Sequence, residues 1–167
     1  VLCQTQYGPV RGREGKNGLL CWYGIPYGAA PTGESRWTAP QEPARWHAVR
    51  DCTSPAPAAY QYTTFPLGTE DCLTLDVYSS SDAKKRPVLV YLHGSAATGS
   101  SLELPGCELV RDAGCVFVAL NYRLGLFGWN CLPALTADPD ATGNFALLDI
   151  ARALDWVRDN IRRFGGD

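Results

Sequence analysis

The sequence predicts an α/β protein, and three observations support this fold class. Residues 88–92 and 115–120 are continuous apolar runs, typical of strands that are covered on both faces of a sheet. Between them, residues 104–113 can form a short helix that ends at Gly114, so the three segments predict a parallel strand pair with a helical crossover. Residues 144–164 repeat apolar side chains at steps of three and four, which indicates a long amphipathic helix.

The N-terminal half predicts short strands and one long irregular segment. Residues 1–5, 9–13 and 19–23 are separated by turn-forming residues and are typical of antiparallel strands. Residues 28–69 are rich in Pro, Ala, Thr and Gly and have no sustained period, so we expect a segment that is functional or held by a disulfide. Leu73, Leu75 and Val77 alternate with polar residues, which predicts a half-buried strand.

The last helix is the clearest element. We expect Asn144 to cap it, and Gly165 to follow its last residue. Acidic residues with arginines three positions later predict a solvated helix face that carries Asp149, Asp155 and Asp159. The predicted buried stripe consists of Leu147, Ile150, Leu154, Val157, Ile161 and Phe164. Such a helix should lead into a further parallel strand, so we expect a domain that continues past residue 167.

Composition excludes several classes of function. Hydrophobic residues make up 46% of the 167 residues and charged residues 19%, with a net charge of −2, so neither disorder nor nucleic-acid binding is indicated. No apolar run approaches the ~20 residues of a transmembrane helix. Seven cysteines favour a secreted or luminal protein with disulfides. With two histidines and no C-x-x-C pair, we expect no metal site and no cofactor.

Five motifs, in order along the chain, match one family. Residues 21–28 read CWYGIPYG, residues 36–43 RWTAPQEP, residues 69–77 TEDCLTLDV, residues 121–129 NYRLGLFGW, and residues 143–167 begin GNFALLD and end FGGD. The chain resembles the type-B carboxylesterase/cholinesterase family. The resemblance implies the α/β-hydrolase fold, with antiparallel edge strands that lead into a mostly parallel sheet flanked by helices. It also implies that residues 1–167 are the N-terminal part of one domain, cut before the nucleophile elbow Gly-x-Ser-x-Gly.

The resemblance implies a carboxylic-ester hydrolase that acts on a small ester. Its catalytic Ser, acid and His would lie in a C-terminal remainder, possibly a separate chain, and no catalytic residue lies within residues 1–167. The alternative is a non-catalytic cholinesterase-like domain for adhesion, secretion or assembly, which the loss of glycines in residues 93–100, HGSAATGS, favours. The five cysteines at positions 3, 21, 107, 115 and 131 have no counterpart in the family's common disulfide; Cys107 and Cys131 could pair.

The resemblance also implies roles for individual residues. Cys52 would form a disulfide with Cys72, Arg36 would pair with Glu70, and Arg123 would pair with Asp167. Residues 94–101 match the loop that supplies backbone N–H groups to the oxyanion, which places Gly94, Ser95 and Ala96 in the oxyanion hole. His93 would support this loop rather than transfer protons. If the loop required positive φ angles, Ser95 and Ala96 would resist them.

Overall fold

The computed structural model describes residues 1–104, 106–135 and 142–167. Its strands are β1 (Leu2–Gln4), β2 (Pro9–Arg11), β3 (Arg13–Glu14), β4 (Leu19–Pro26), β5 (Arg50–Asp51), β6 (Gln61–Tyr62), β7 (Pro66–Leu67), β8 (Thr74–Ser80), β9 (Val88–Tyr91) and β10 (Val116–Leu120). Its α-helices are α1 (Gly106–Ala113), α2 (Gly125–Gly128) and α3 (Phe145–Asn160). Short 3-10 turns cover Lys16–Gly18, Gly33–Ser35, Pro133–Leu135 and Ile161–Phe164.

The central sheet has the strand order β3-β4-β8-β10-β9. Its neighbours are antiparallel except for β9 and β10, which are parallel and are joined through α1. This confirms the predicted strand–helix–strand unit. The predicted N-terminal strands are also present, because β1 pairs antiparallel with β2 beside the parallel strand β5. Pro105, which the predicted helix at residues 104–113 includes, lies outside the described residues.

Helices cover the two faces of the sheet. On one face, Val110 of α1 packs with Tyr78 and Phe117; on the other, Trp156 of α3 and Phe164 pack against the strands. Strands β8 and β10 are therefore buried throughout almost their whole length, so the prediction that β8 is half-buried was wrong. Strand β9 lies at the sheet edge and is only partly covered, which differs from the coverage on both faces that its apolar run predicted.

The long helix forms as predicted, and Val157, Ile161 and Phe164 of the predicted stripe are buried, but the stripe's first leucines are not. Leu147 and Leu154 are 52% and 45% exposed, whereas Trp156 is 1% exposed. The fully buried face is instead formed by Phe145, Ala146, Asp149, Ala153 and Asn160. The helix ends as predicted, through a 3-10 turn and Gly165 at φ 89°. The side chain of Asn144, however, makes no capping hydrogen bond.

Candidate active site

The chain leaves the sheet at the carboxyl end of β9, the position at which α/β sheets bind ligands. His93 is 3% exposed, and its ring stacks on that of Tyr122 at a centroid distance of 4.2 Å. The Tyr122 hydroxyl donates to the His93 carbonyl at 2.5 Å. Burial lowers the pKa of His93, so the ring is held neutral in a supporting position. Its Nε2 atom has no partner among the described residues.

We call residues 94–98, which follow His93, the β9 loop. The backbone N–H groups of Gly94, Ser95 and Ala96 have no acceptor within the described part of the chain. Gly94 and Ala96 are exposed, and Ser95 is half-buried. None of the three has a positive φ angle. The backbone conformation of this loop is therefore open to residues other than glycine, and three donors are left free.

The β9 loop is held by the side chain of Ser95 and by α2. The Ser95 hydroxyl oxygen accepts hydrogen bonds from the N–H groups of Ala97 at 3.1 Å and Thr98 at 3.2 Å. The Ala96 carbonyl accepts from the N–H of Gly125, the first residue of α2, at 2.7 Å. These contacts use the carbonyl of Ala96 and leave its N–H free.

The segment after the loop is fixed by buried polar groups. The Gln61 amide donates from Nε2 to the Gly99 carbonyl at 2.9 Å and accepts from the Gly99 N–H at 3.0 Å. Gly99 has φ 139°, and a Cβ atom at this position would collide with the His93 ring. Both backbone conformation and space therefore require glycine here.

A buried network, which we call the Asp76 network, joins this segment to the sheet. The Ser101 hydroxyl donates to Asp76 Oδ2 at 2.7 Å, and the Gly24 N–H donates to Oδ1 at 2.8 Å. Asn121 Nδ2 donates to the Ser101 hydroxyl at 3.2 Å. Burial raises the pKa of Asp76 to about 6. Asp76 was not among the site residues predicted from the sequence, although it lies within the motif of residues 69–77.

The structure brings Arg36 and Glu70 together in a bidentate pair, with distances of 2.5 Å from Nε to Oε2 and 3.0 Å from Nη2 to Oε1. Both side chains are partly exposed. This pair joins the irregular segment after β4 to the segment before β8.

Arg123 is paired differently from the expectation. It donates from Nη2 to Asp149 Oδ1 at 2.6 Å and from Nε to Oδ2 at 2.8 Å, and both side chains are buried. Asp167 instead lies 3.5 Å from Arg162 and bonds to the backbone of Arg86. The pairing of Arg123 with Asp167 was wrong because the two lie at opposite ends of the sheet: Arg86 precedes β9, whereas Arg123 follows β10. Asp149 was predicted to lie on a solvated helix face, and this was also wrong, because Asp149 is buried in its pair with Arg123.

The expected disulfide between Cys52 and Cys72 is not formed, since both thiols are free. The Cys52 carbonyl accepts from the N–H of Tyr23, whereas the carbonyl of Leu73, next to Cys72, accepts from the N–H of Tyr27. The backbone beside each cysteine is thus bonded to a different residue, Tyr23 within β4 and Tyr27 after it.

The comparisons with known proteins agree with this geometry. A family model described as "Carboxylesterase family" matches residues 1–167. This chain belongs to the carboxylesterase family. It is 40% identical over 178 residues to the para-nitrobenzyl esterase of Bacillus subtilis and 36% identical over 188 residues to carboxylesterase 4A of Bos taurus, in each case over 99% of the chain. The chain spans 36% and 34% of the length of these two proteins.

Solved structures of carboxylesterases have the same fold. A structure titled "PNB esterase" superimposes with a TM-score of 0.91 at 40% identity, over 99% of this chain and 36% of that one. A carboxylesterase of Geobacillus stearothermophilus superimposes with a TM-score of 0.90 at 37% identity, over 99% and 35%. The chain therefore has the N-terminal part of the α/β-hydrolase fold. Among its described residues, no helix is long and apolar enough to cross a bilayer, and no group of His, Cys, Asp or Glu could hold a metal ion.

Proposed function

We propose that the full-length protein is a carboxylic-ester hydrolase. In this proposal, residues 1–167 form the N-terminal part of its single catalytic domain and end before the nucleophile elbow. The observation that supports it best is the set of three free N–H groups at Gly94, Ser95 and Ala96, at the carboxyl end of β9. Buried polar contacts on both sides hold these donors in place, as a preorganised oxyanion hole requires.

The chemistry follows from these donors. A serine of the C-terminal remainder, within Gly-x-Ser-x-Gly, attacks the ester carbonyl, and the carbonyl oxygen becomes an oxyanion. The N–H groups of Ser95 and Ala96 donate to this oxyanion, and each such donor lowers the barrier by about 3–4 kcal/mol. The acyl-enzyme is then hydrolysed by water, with an acid and a His from the remainder as the other triad members. Within this mechanism His93 positions the loop and takes no proton.

The loss of glycines in residues 93–100 favours a second candidate, a non-catalytic cholinesterase-like domain for adhesion, secretion or assembly. The backbone angles weaken this candidate. Ser95 and Ala96 do not have positive φ angles, which favour glycine. The one residue of this segment with a positive φ angle, Gly99, is a glycine. The loop therefore supports the hydrolase over the non-catalytic domain.

The proposal also assigns the enzyme a substrate class, a partner and a location. We propose a small ester as substrate, with the C-terminal remainder of the domain as the partner that completes the site. A choline ester is not favoured, since the segment from residue 53 to residue 71 contains Tyr60, Tyr62 and Phe65 but no Trp to face a cation. We propose a secreted or luminal location from the number of cysteines alone, seven, since all seven thiols are free in the structure.

The decisive experiment is labelling of the full-length protein with a fluorophosphonate probe, which reacts only with an activated serine. The hydrolase predicts stoichiometric labelling of one serine in Gly-x-Ser-x-Gly, within the ~30 residues after Asp167. A heat-denatured sample is the matched control and should take up no label. A folded sample that remains unlabelled would overturn the hydrolase and leave the non-catalytic domain.

A further inference from the structure

Two cysteines that the proposed mechanism does not use lie side by side on the face of the sheet opposite α3. Cys21 is on β4 and is 1% exposed, whereas Cys107 is in the first turn of α1 and is half-buried. Helix α1, which carries Cys107, packs on β4, which carries Cys21, and the nearby Cys107 thiol adds to burial in raising the pKa of Cys21. Both pack in the cluster of Tyr78 and Phe117 under α1. The sequence allowed Cys107 to pair with Cys131, but the fold brings it to Cys21.

Cys107 also lines a cavity of about 500 Å³, which is within the range of small-molecule sites. The cavity is lined by three basic side chains, Lys16, Arg86 and Arg111, and by one acidic side chain, Asp82. Asp82 lies 3.6 Å from Arg86, and Arg111 bonds to its neighbour Asp112. The lining keeps an excess of positive charge over negative charge, so the cavity favours anionic ligands.

From this juxtaposition we propose that Cys107 and Cys21 are a redox-active thiol pair that reacts with small anionic disulfides. The Cys107 thiolate attacks one sulfur of the reagent, forms a mixed disulfide and releases the first reagent thiolate. Cys21 loses its proton and attacks the Cys107 sulfur, which forms the Cys21–Cys107 disulfide and releases the second reagent thiolate. Two protein thiols are oxidised, one reagent disulfide is reduced to two thiols, and the two protons end on those thiols.

The difference in exposure fixes the order of the steps. Cys107 faces the cavity and meets the reagent first, whereas Cys21 lies behind it. Burial raises the pKa of Cys21 to about 11, so this thiol remains protonated and unreactive until the mixed disulfide is in contact with it. The product would join α1 to β4 across a loop of more than 80 residues, and so restrict the unfolded chain.

The test uses the reduced full-length protein with oxidised glutathione as the probe, followed by acid quenching and non-reducing peptide mapping. We expect a Cys21–Cys107 cross-link in the wild type and in the controls Cys115→Ser and Cys131→Ser, which remove a buried and an exposed cysteine. Cys21→Ser should stop at a glutathione adduct on Cys107. Cys107→Ser should leave residue 21 unmodified. Adducts at Cys131 alone, or no adduct on Cys107 in Cys21→Ser, would overturn the proposal.

A second measurement tests the charge of the cavity. Arg111→Gln should slow cross-linking by oxidised glutathione about three- to tenfold and leave the rate with neutral hydroxyethyl disulfide unchanged. For each reagent, the rate of the wild type is compared with that of Arg111→Gln. Equal rates of the two proteins with oxidised glutathione as well as with hydroxyethyl disulfide would refute the preference for anionic disulfides. Lys84→Gln is the matched control, since Lys84 is exposed and does not line this cavity.

Discussion

The ion pair of Arg123 and Asp149 and the β9 loop lie at the same end of the sheet, because they follow the parallel strands β10 and β9. Arg123 uses its backbone N–H, Nε, Nη1 and Nη2 as donors, and each of them has an acceptor. The loop leaves the N–H groups of three successive residues, Gly94 to Ala96, without an acceptor in the described chain. We call the Arg123–Asp149 pair the saturated region, because all its donors are bonded, and residues 94–96 the unsaturated region. The saturated region holds three segments together, whereas the unsaturated region keeps its donors available for a ligand.

The largest effect should come from breaking the saturated region. Asp149→Asn leaves a buried guanidinium without its counter-charge, and we expect the free energy of unfolding to fall by about 3–5 kcal/mol. Denaturant unfolding of the full-length protein measures this change. The control Asp155→Asn breaks an exposed pair with Arg158 and should cost less than ~1 kcal/mol. Similar losses in both variants would show that the burial of the Arg123–Asp149 pair does not determine its contribution to the free energy of unfolding.

Deleting one donor of the unsaturated region should instead affect activity. Ala96→Pro removes the N–H of residue 96, and we expect kcat for a chromogenic acetate ester to fall about 10²–10³-fold. The thermal midpoint should change little, because this N–H bonds to nothing in the described chain. Ala96→Gly keeps the N–H and should retain kcat within a few-fold. An unchanged kcat in the proline variant would remove Ala96 from the oxyanion hole.

The Asp76 network joins the segment after the β9 loop to the sheet, and it should respond to pH. The folded state raises the pKa of Asp76 from 3.8 to about 6, so folding disfavours the ionised form. Between pH 4 and 6 the native state binds more protons than the unfolded state, and stability therefore falls as pH rises through this window.

The variant Asp76→Asn removes this dependence. We expect it to be about 2–3 kcal/mol more stable than the wild type above pH 6 and to lose this advantage near pH 4. Denaturant midpoints of both proteins across this pH range measure the difference. Ser101→Ala, which removes one donor to the carboxylate, should shift the midpoint of the pH dependence upwards. Parallel pH profiles for the wild type and Asp76→Asn would contradict the assignment of this titration to Asp76.

Much of the fold was predictable because its signals are local. Each signal occupies only a few residues: the apolar run of β10, Gly114 after α1 and Gly165 after α3. The structure confirms β10, α1 and α3. The error at Asp149 has the opposite cause. Its arginine partner on the same helix is a local pattern, whereas its actual partner, Arg123, is 26 residues away and is brought close only by the packing of α3.

The candidate site shows the same limit. The match of residues 94–101 to the family's oxyanion loop located the β9 loop, but whether its N–H groups are free depends on φ angles and on contacts with Gln61 and Gly125, which the residue types do not show. The resemblance implied that Cys52 and Cys72 are joined, and the sequence does not show that the backbone beside each is bonded to a different residue, Tyr23 or Tyr27.

The smallest effect should separate the shape of the β9 loop from its anchors. Ser95→Ala removes the acceptor of two loop N–H groups and keeps the backbone donor of residue 95. Exposed hydrogen bonds contribute about 1 kcal/mol, so we expect kcat to fall about three- to tenfold with little change in the thermal midpoint. Ser95→Thr keeps the hydroxyl and should restore kcat. A loss as large as that of Ala96→Pro would mean that the Ser95 hydroxyl, rather than the contacts of His93, Gln61 and Gly125, sets the direction of the donors.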